Sequence, residues 1–379
     1  MKKLFLVVLM GVMLFGGARM VHAADSPSAR IGPAMVYDPI NERVMLFGGA
    51  IYDNGYTFYN DLWSFKDGVW TEIDVPGTKP SGRFNIPMVY LPDTQQIFVY
   101  GGFSAQDRIG DTWIYDIVGN QWTRLSTDTH PPRRSDAAIA YDMEHNIVVM
   151  FGGYSINDNI LDDTWVFDFS LMNWVEMTPE IKPLNQYGGY MVYDSVNGLL
   201  LMYPGHWEIV SNGELINHGY GDQMWTYSYE DDNWTELEAS PKPLGRYWFD
   251  LAYDSKNGEL VLFGGSVGGD NQLQDTWVYN YASNSWRKIE SDIKPPVRAN
   301  SYMAYDESRD IMVIFGGSHF NHVVYSDTWT LDMGSETWSE ITTEPSSQSQ
   351  EEPQSIPGFD IYIIALSLIV FILVYRLEK

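Results

Sequence analysis

The chain has 379 residues, no cysteine, 15% aromatic residues and a formal net charge of −27. Its length accommodates one large all-β domain or two smaller ones. The missing cysteines exclude a disulfide framework and leave stability to packing, and the acidity repels polyanions, which excludes a nucleic-acid partner.

Residues 1–23 read as an export signal. Lys2 and Lys3 form a basic start, Leu4 to Gly17 an apolar stretch, and "ARMVHAA" offers small residues for cleavage after Ala23 or Ala24. An uncleaved anchor is the alternative. A short segment, 24–29, leads into the body.

From residue 30 to 341 the chain repeats itself. One tryptophan recurs at positions 63, 113, 165, 225, 277 and 329, and a second at 70, 122, 174, 234, 286 and 338. Five of the six units carry a glycine pair before the first tryptophan, ending at Gly49, Gly102, Gly153, Gly265 and Gly317, with Pro204-Gly205 in the fourth unit. Arg30, Arg83, Arg134, Arg246 and Arg298 stand at one fixed distance before the pair, with Gln186 in the fourth unit. Each unit holds four short β-rich runs; in the last they are "SYMAYD", "IMVIFGG", "DTWTLD" and "ETWSEI", separated by turn-prone residues. No helical period appears outside the termini. Short four-stranded units repeated six times bury both faces only by stacking around an axis.

The pattern "FGG…DTW…W" resembles the kelch repeat, and the resemblance covers about four-fifths of the chain. It implies an all-β, six-bladed propeller with four antiparallel strands per blade: 30–82, 83–133, 134–185, 186–245, 246–297 and 298–341. Twelve of the fourteen tryptophans then serve to pack blades, and Trp207 and Trp248 are the two outside the repeat.

The arginines invite two readings. In kelch proteins, arginines at this strand start often line a pocket, so a ring of them could hold an anion. Each, however, accompanies an aspartate two residues before the first tryptophan: Arg30/Asp61, Arg83/Asp111, Arg134/Asp163, Arg246/Asp275 and Arg298/Asp327. The fourth unit loses both together, as Gln186 and Gln223, which favours a paired structural bridge, because losing one partner would strand a charge.

In kelch propellers the loops after the glycine pair emerge on one face. The fourth, residues 206–224, is the longest and carries His206, Trp207, His218 and Tyr220; the first offers Tyr52, Tyr56 and Tyr59. These are candidates for a stacking platform. Trp248 and Asp250, just after Arg246 on the strand expected nearest the axis, are candidates for a central funnel. A decorative loop packed on its own blade is the plainer reading of residues 206–224.

Residues 342–358 read as a solvated stalk, since 342–355 lack aromatic and bulky apolar groups. Residues 359–375 carry a long uncharged run suited to a thin bilayer, and 376–379 form a basic end that the positive-inside rule places in the cytoplasm. The tail also resembles archaeal sorting tails, through Pro357-Gly358-Phe359 followed by an apolar run. That resemblance implies removal of the helix and a lipid anchor in its place.

Most enzyme chemistry finds no support. Copper–radical oxidases on this type of propeller need a tyrosine crosslinked to cysteine, and there is no cysteine. Sialidase boxes, nucleophile elbows and phosphate loops are absent. His319 and His322 lack a third ligand nearby in sequence, so no metal or other cofactor is expected. The expectation is an exported, membrane-tethered module that recognises a surface protein or a glycan. The alternative is a sugar-modifying enzyme resembling the sialate mutarotases, with Arg246, Trp248 and Asp250 in the funnel.

Overall fold

The computed structural model describes residues 26–156, 159–211, 213–319 and 323–342. The expected export signal, membrane helix, basic end and sorting tail lie outside the described residues, as do His322 and all but the first residue of the stalk. Among the described residues every regular element is a strand, and no helix is long and apolar enough to cross a membrane. The strands all fall in one compact unit, Met1–Ile341.

Among the described residues, six antiparallel four-stranded sheets carry the fold. Sheet 1 comprises Ala34–Asp38, Arg43–Phe47, Leu62–Lys66 and Val69–Ile73 in that order. The first strands of sheets 2 to 6 are Met88–Leu91, Ala138–Asp142, Tyr190–Asp194, Asp250–Asp254 and Tyr302–Asp306. Every sheet is built from one continuous stretch of chain, so no strand is exchanged between the ends. The second strands, such as "RVMLF" and "IVVMF", are nearly all apolar because both of their faces are covered. The outermost strands, such as "VWTEI", bury little but their tryptophan.

The first strand of each sheet touches the first strand of the next, and that of sheet 6 touches that of sheet 1, which closes a ring. Apolar cores lie between successive sheets, including one that joins Leu46, Trp63 and Trp70 of sheet 1 to Val313 and Phe315 of sheet 6. The glycine pair zips neighbours together. The second glycine donates its N–H to the carbonyl of the next sheet's arginine position, as Gly49 to Arg83 at 2.8 Å and, across the closure, Gly317 to Arg30 at 2.9 Å. A Cβ at Gly48, where φ is +70°, would lie 2.8 Å from the Arg83 carbonyl oxygen, so the close approach needs glycine.

The repeated "DTW…W" phrase is a set of cross-links. The first indole donates to the aspartate two residues back, as Trp113 to Asp111 at 2.7 Å. The second donates to the threonine of the preceding sheet: Trp70 to Thr328, Trp174 to Thr112, Trp234 to Thr164 and Trp338 to Thr276, at 2.9 to 3.0 Å. Where the threonine is replaced by Met224, the Trp286 N–H is buried without a partner.

Candidate functional site: an aromatic funnel on the axis

The five arginines are fully buried and all make one contact set. Arg246 donates to both carboxylate oxygens of Asp275 at 2.6 and 3.0 Å, to the Gly264 carbonyl at 2.8 Å and to the Leu244 carbonyl at 3.0 Å. Arg30, Arg83, Arg134 and Arg298 are bound likewise to Asp61, Asp111, Asp163 and Asp327. Burial pushes the carboxyls of Asp61, Asp111, Asp163 and Asp275 up, but the bonds and charge of the arginine, with the indole N–H, carry them below the usual carboxylate range. In sheet 4 the Gln186 amide turns instead to Met202 Sδ and the Gly205 N–H. The guanidinium groups of all five arginines, Arg246 included, are thus engaged within the protein.

Two residues after each arginine position the chain turns left-handed. Gly32, Asn85, Asp136, Gly188, Trp248 and Asn300 all have φ between +52° and +67°. Their backbones form a closed collar in which each N–H donates to the carbonyl of the same position in the preceding sheet, from Asn85 to Gly32 around to Gly32 to Asn300, at 2.8 to 3.1 Å. Glycine, asparagine and aspartate tolerate this backbone, whereas tryptophan does so only under strain.

The side chains of the collar make the floor of a cavity of about 440 Å³. Asp136 accepts from Asn85 Nδ2 and from the indole of Trp248, which reaches it from sheet 5 at 2.8 Å, while its second oxygen accepts from Ser135 Oγ at 2.6 Å. Burial raises the Asp136 carboxyl above its ordinary value, and the bonds from Ser135 and Trp248 oppose the rise. Gly32 leaves room for the Asn85 amide, since a Cβ there would sit 2.0 Å from Asn85 Oδ1. That oxygen, like Gln272 Oε1 in the same cavity, is buried and has no hydrogen-bond partner. Beneath the collar the first strands enclose a second, apolar cavity of about 420 Å³ with Met35, Val89, Ile139, Met191, Leu251 and Met303 in its wall.

Aromatic side chains wall the upper cavity. Tyr56 stacks on Phe84 at 5.5 Å, Phe84 meets Phe103 edge-on, and Arg108 lies over Phe103 and, at 4.1 Å, over Tyr154. The run continues from Tyr154 to Tyr187 at 5.0 Å and from Tyr187 to Trp248 at 6.1 Å. The long fourth loop is a hairpin, His206–Ser211 with Glu214–Tyr220, whose base joins this wall. His206 stacks on Tyr187 at 5.1 Å and Tyr220 on Tyr247 at 5.4 Å. Burial holds the His206 imidazole below its ordinary value.

The sequence candidates therefore divide. Trp248 and Tyr56 line the funnel, His206 and Tyr220 buttress its rim, and the exposed His218 stacks on His206 at 5.6 Å. Tyr52 is exposed, edge-on to Tyr56. Trp207 is next to His206 on a strand, hence on the opposite face, and its ring lies against Gly219, where a Cβ would be 2.6 Å away. Tyr59 covers the Arg30 guanidinium at 4.3 Å. Asp250 is fully buried, accepting from Ser301 Oγ at 2.7 Å, and burial pushes its carboxyl up to about 7. Asn85, Asp136, Tyr187, Phe84, Phe103, Arg108 and Gln272 were not picked out from sequence. The signal for the collar was present, as a glycine, asparagine or aspartate two residues after an arginine.

The KLHDC2/KLHL20/DRC7 Kelch-repeats domain model matches residues 18–202 and 195–365. Among curated proteins, the chain is 22% identical to Mei4-dependent protein 6 of Schizosaccharomyces pombe, over 81% of this chain and 48% of that one. It is 28% identical to F-box/kelch-repeat protein At1g51550 of Arabidopsis thaliana, over 65% and 56% respectively. A third match is the dynein alpha chain of the Chlamydomonas reinhardtii flagellar outer arm, 22% identical over 88% of this chain and 8% of that one. The chain thus spans about half the length of the first two relatives. With the repeated cross-links of the sheets and a model match over most of its length, the chain belongs to the kelch-repeat family.

Proposed function

We propose that the chain is a six-bladed kelch propeller, exported and tethered to a membrane by its C-terminal run, that recognises a surface protein or a glycan at its axial funnel. Kelch repeats generally mediate protein interactions, which supports a recognition role, and the ring of six sheets supports the blade count. The observation that carries the site is the pairing of two orphan acceptors, Asn85 Oδ1 and Gln272 Oε1, with an aromatic wall in one cavity. A buried acceptor without a partner costs about 1–3 kcal/mol, and a ligand hydroxyl or amide N–H entering the funnel offsets that cost while its apolar face stacks on Tyr187 or Trp248. The stalk and anchor would hold that face near other surface molecules and raise its effective concentration there.

The test is a binding screen of the full-length protein against a glycan array and an envelope-protein extract, run beside Tyr187→Ala and Asn85→Ala. Binding that both variants lose while keeping their melting temperature supports the funnel. Binding indifferent to both removes it.

A second reading, a sugar-modifying enzyme, draws on Asp136: a carboxyl with a raised pKa on the floor of an aromatic cavity suits general acid–base work. Turnover of free reducing sugars, abolished in Asp136→Asn, separates it from simple recognition.

A further inference from the structure

The flank of the ring holds a third cavity, of about 590 Å³, between sheet 2 and the segment leading to sheet 3. Arg124, Ser126, Thr127, His130 and Arg133 line it, with Gly110 at its side. Comparison of this groove with its repeats shows three departures in one place. The second residue after the second tryptophan is glutamate in four units, as Glu72, Glu176, Glu236 and Glu340, and Lys288 in the fifth, but Arg124 here. The residue before the bridging aspartate position is Asp162 and Asp222 in the next two units, but Gly110 here. The residue before the buried arginine or its replacement is Ala29, Gly82, Asn185, Gly245 or Val297 elsewhere, but Arg133 here.

These changes all remove negative charge or add positive charge. In the next two grooves the balance is closed internally: Lys182 pairs with Asp162 at 2.9 Å and Lys242 with Asp222 at 3.0 Å. His130 occupies the position of those lysines, and Gly110 stands where their aspartate partner would be. A side chain at Gly110 would also press on the Arg133 stem, since a Cβ would lie 3.1 Å from Arg133 Cγ. The one carboxylate in the wall, Asp111, is already committed to Arg83 and Trp113. Among the described residues neither the Arg124 nor the Arg133 guanidinium has an ion pair or hydrogen bond, although the chain carries 50 acidic residues against 23 lysines and arginines.

We propose that this groove is a binding site for a phosphate- or sulfate-type oxyanion, held by the Arg124 and Arg133 guanidinium groups, the His130 imidazole and the Ser126 and Thr127 hydroxyls. Guanidinium groups match the geometry of tetrahedral oxyanions, which accept several N–H bonds at once. In a chain of net charge −27 an anion is otherwise repelled, so a local unpaired cationic groove selects for one.

The test is calorimetric titration of the full-length protein at constant ionic strength with inorganic phosphate, sulfate and chloride, and with a serine peptide in phosphorylated and plain form. Saturable binding of phosphate and sulfate, but not chloride, is expected. Arg124→Glu, which installs the residue of four of the repeats, and Arg133→Gly each weaken it at least about tenfold. Both positions are exposed, so the melting temperature holds, and Lys182→Ala in the neighbouring groove leaves binding unchanged. A phosphopeptide that binds more tightly than free phosphate assigns the oxyanion to a modified partner, and one that binds no more tightly assigns it to the free ion. The proposal is overturned by the lack of saturable phosphate binding, or by binding that survives both arginine substitutions.

Discussion

The indole of Trp248, just ahead of sheet 5, donates to the carboxylate of Asp136, just ahead of sheet 3, and both residues line a small cavity at the collar. The bond joins non-adjacent sheets, and it is made by a bulky residue held at a φ of +52°. Trp248→Phe keeps the ring and the strained backbone but removes the N–H. With one donor to a buried carboxylate lost, we expect a destabilisation of about 1–3 kcal/mol, read as a lower urea midpoint with an unchanged slope. An unchanged midpoint would show that Asn85 and Ser135 suffice for Asp136.

The bridges predict a coupling. Removing one partner strands the other, so Arg83→Gln and Asp111→Gln are each expected to cost about 3–5 kcal/mol. The double variant resembles the solution already present in sheet 4, where Gln186 and Gln223 stand in for the pair. Its cost should fall well short of the sum of the single losses in a double-mutant cycle. Additive losses would mean that the charges act independently.

What the sequence made legible was the scaffold, because its parts recur. The two Trp of each unit, and the Asp and Thr of most, each satisfy a fixed geometric demand, and the joint loss of Arg and Asp in one unit already pointed to the bridge seen between Arg83 and Asp111. The funnel was legible at Trp248, which breaks the pattern, and at Tyr56 in the tyrosine-rich first loop. Its wall comes from positions that differ between units, such as Ile31, Phe84, Ser135, Tyr187, Tyr247 and Ala299, and only closure of the ring brings them together. Asp250 follows Trp248 by two residues, at the start of its strand, and its bond to Ser301 between sheets 5 and 6 is a contact that no sequence spacing announces.

Asp250 also sets a pH dependence. Burial raises its folded-state pKa to about 7, whereas an unfolded aspartate titrates near about 3.9. Between these values the folded chain binds more protons than the unfolded one, so this group makes stability fall as pH rises, by up to about 1.4 kcal/mol per pH unit. The bridge carboxyls Asp61, Asp111, Asp163 and Asp275 act oppositely. Their pKa values are depressed, so their contribution is present above the unfolded value and lost on acidification. Denaturant unfolding across this window should therefore show Asp250→Asn gaining on the wild type as pH rises from 4 towards 7, about 4 and 7 being the two pKa values just given. A constant difference between the two proteins across that range would remove Asp250 from the account.

The last prediction isolates the packing of the floor from its backbone strain. Gly188 and Gly258 have almost the same left-handed backbone, with φ of +67° and +68°. An alanine at either position costs about 1 kcal/mol for the conformation alone. Their surroundings differ. A Cβ at Gly258 would meet Val196 Cγ2 at 3.5 Å, an ordinary contact, whereas at Gly188 it would lie 2.8 Å from Trp248 Cδ1 and 3.3 Å from the Trp248 backbone nitrogen. The indole cannot move away without giving up Asp136, because the same ring makes both contacts. Gly188→Ala should accordingly lose about 1–3 kcal/mol more than Gly258→Ala, and it should weaken any funnel ligand that Gly258→Ala still binds. Equal losses in thermal unfolding, with equal binding, would mean that Trp248 is free to swing, and that the floor is a movable plug.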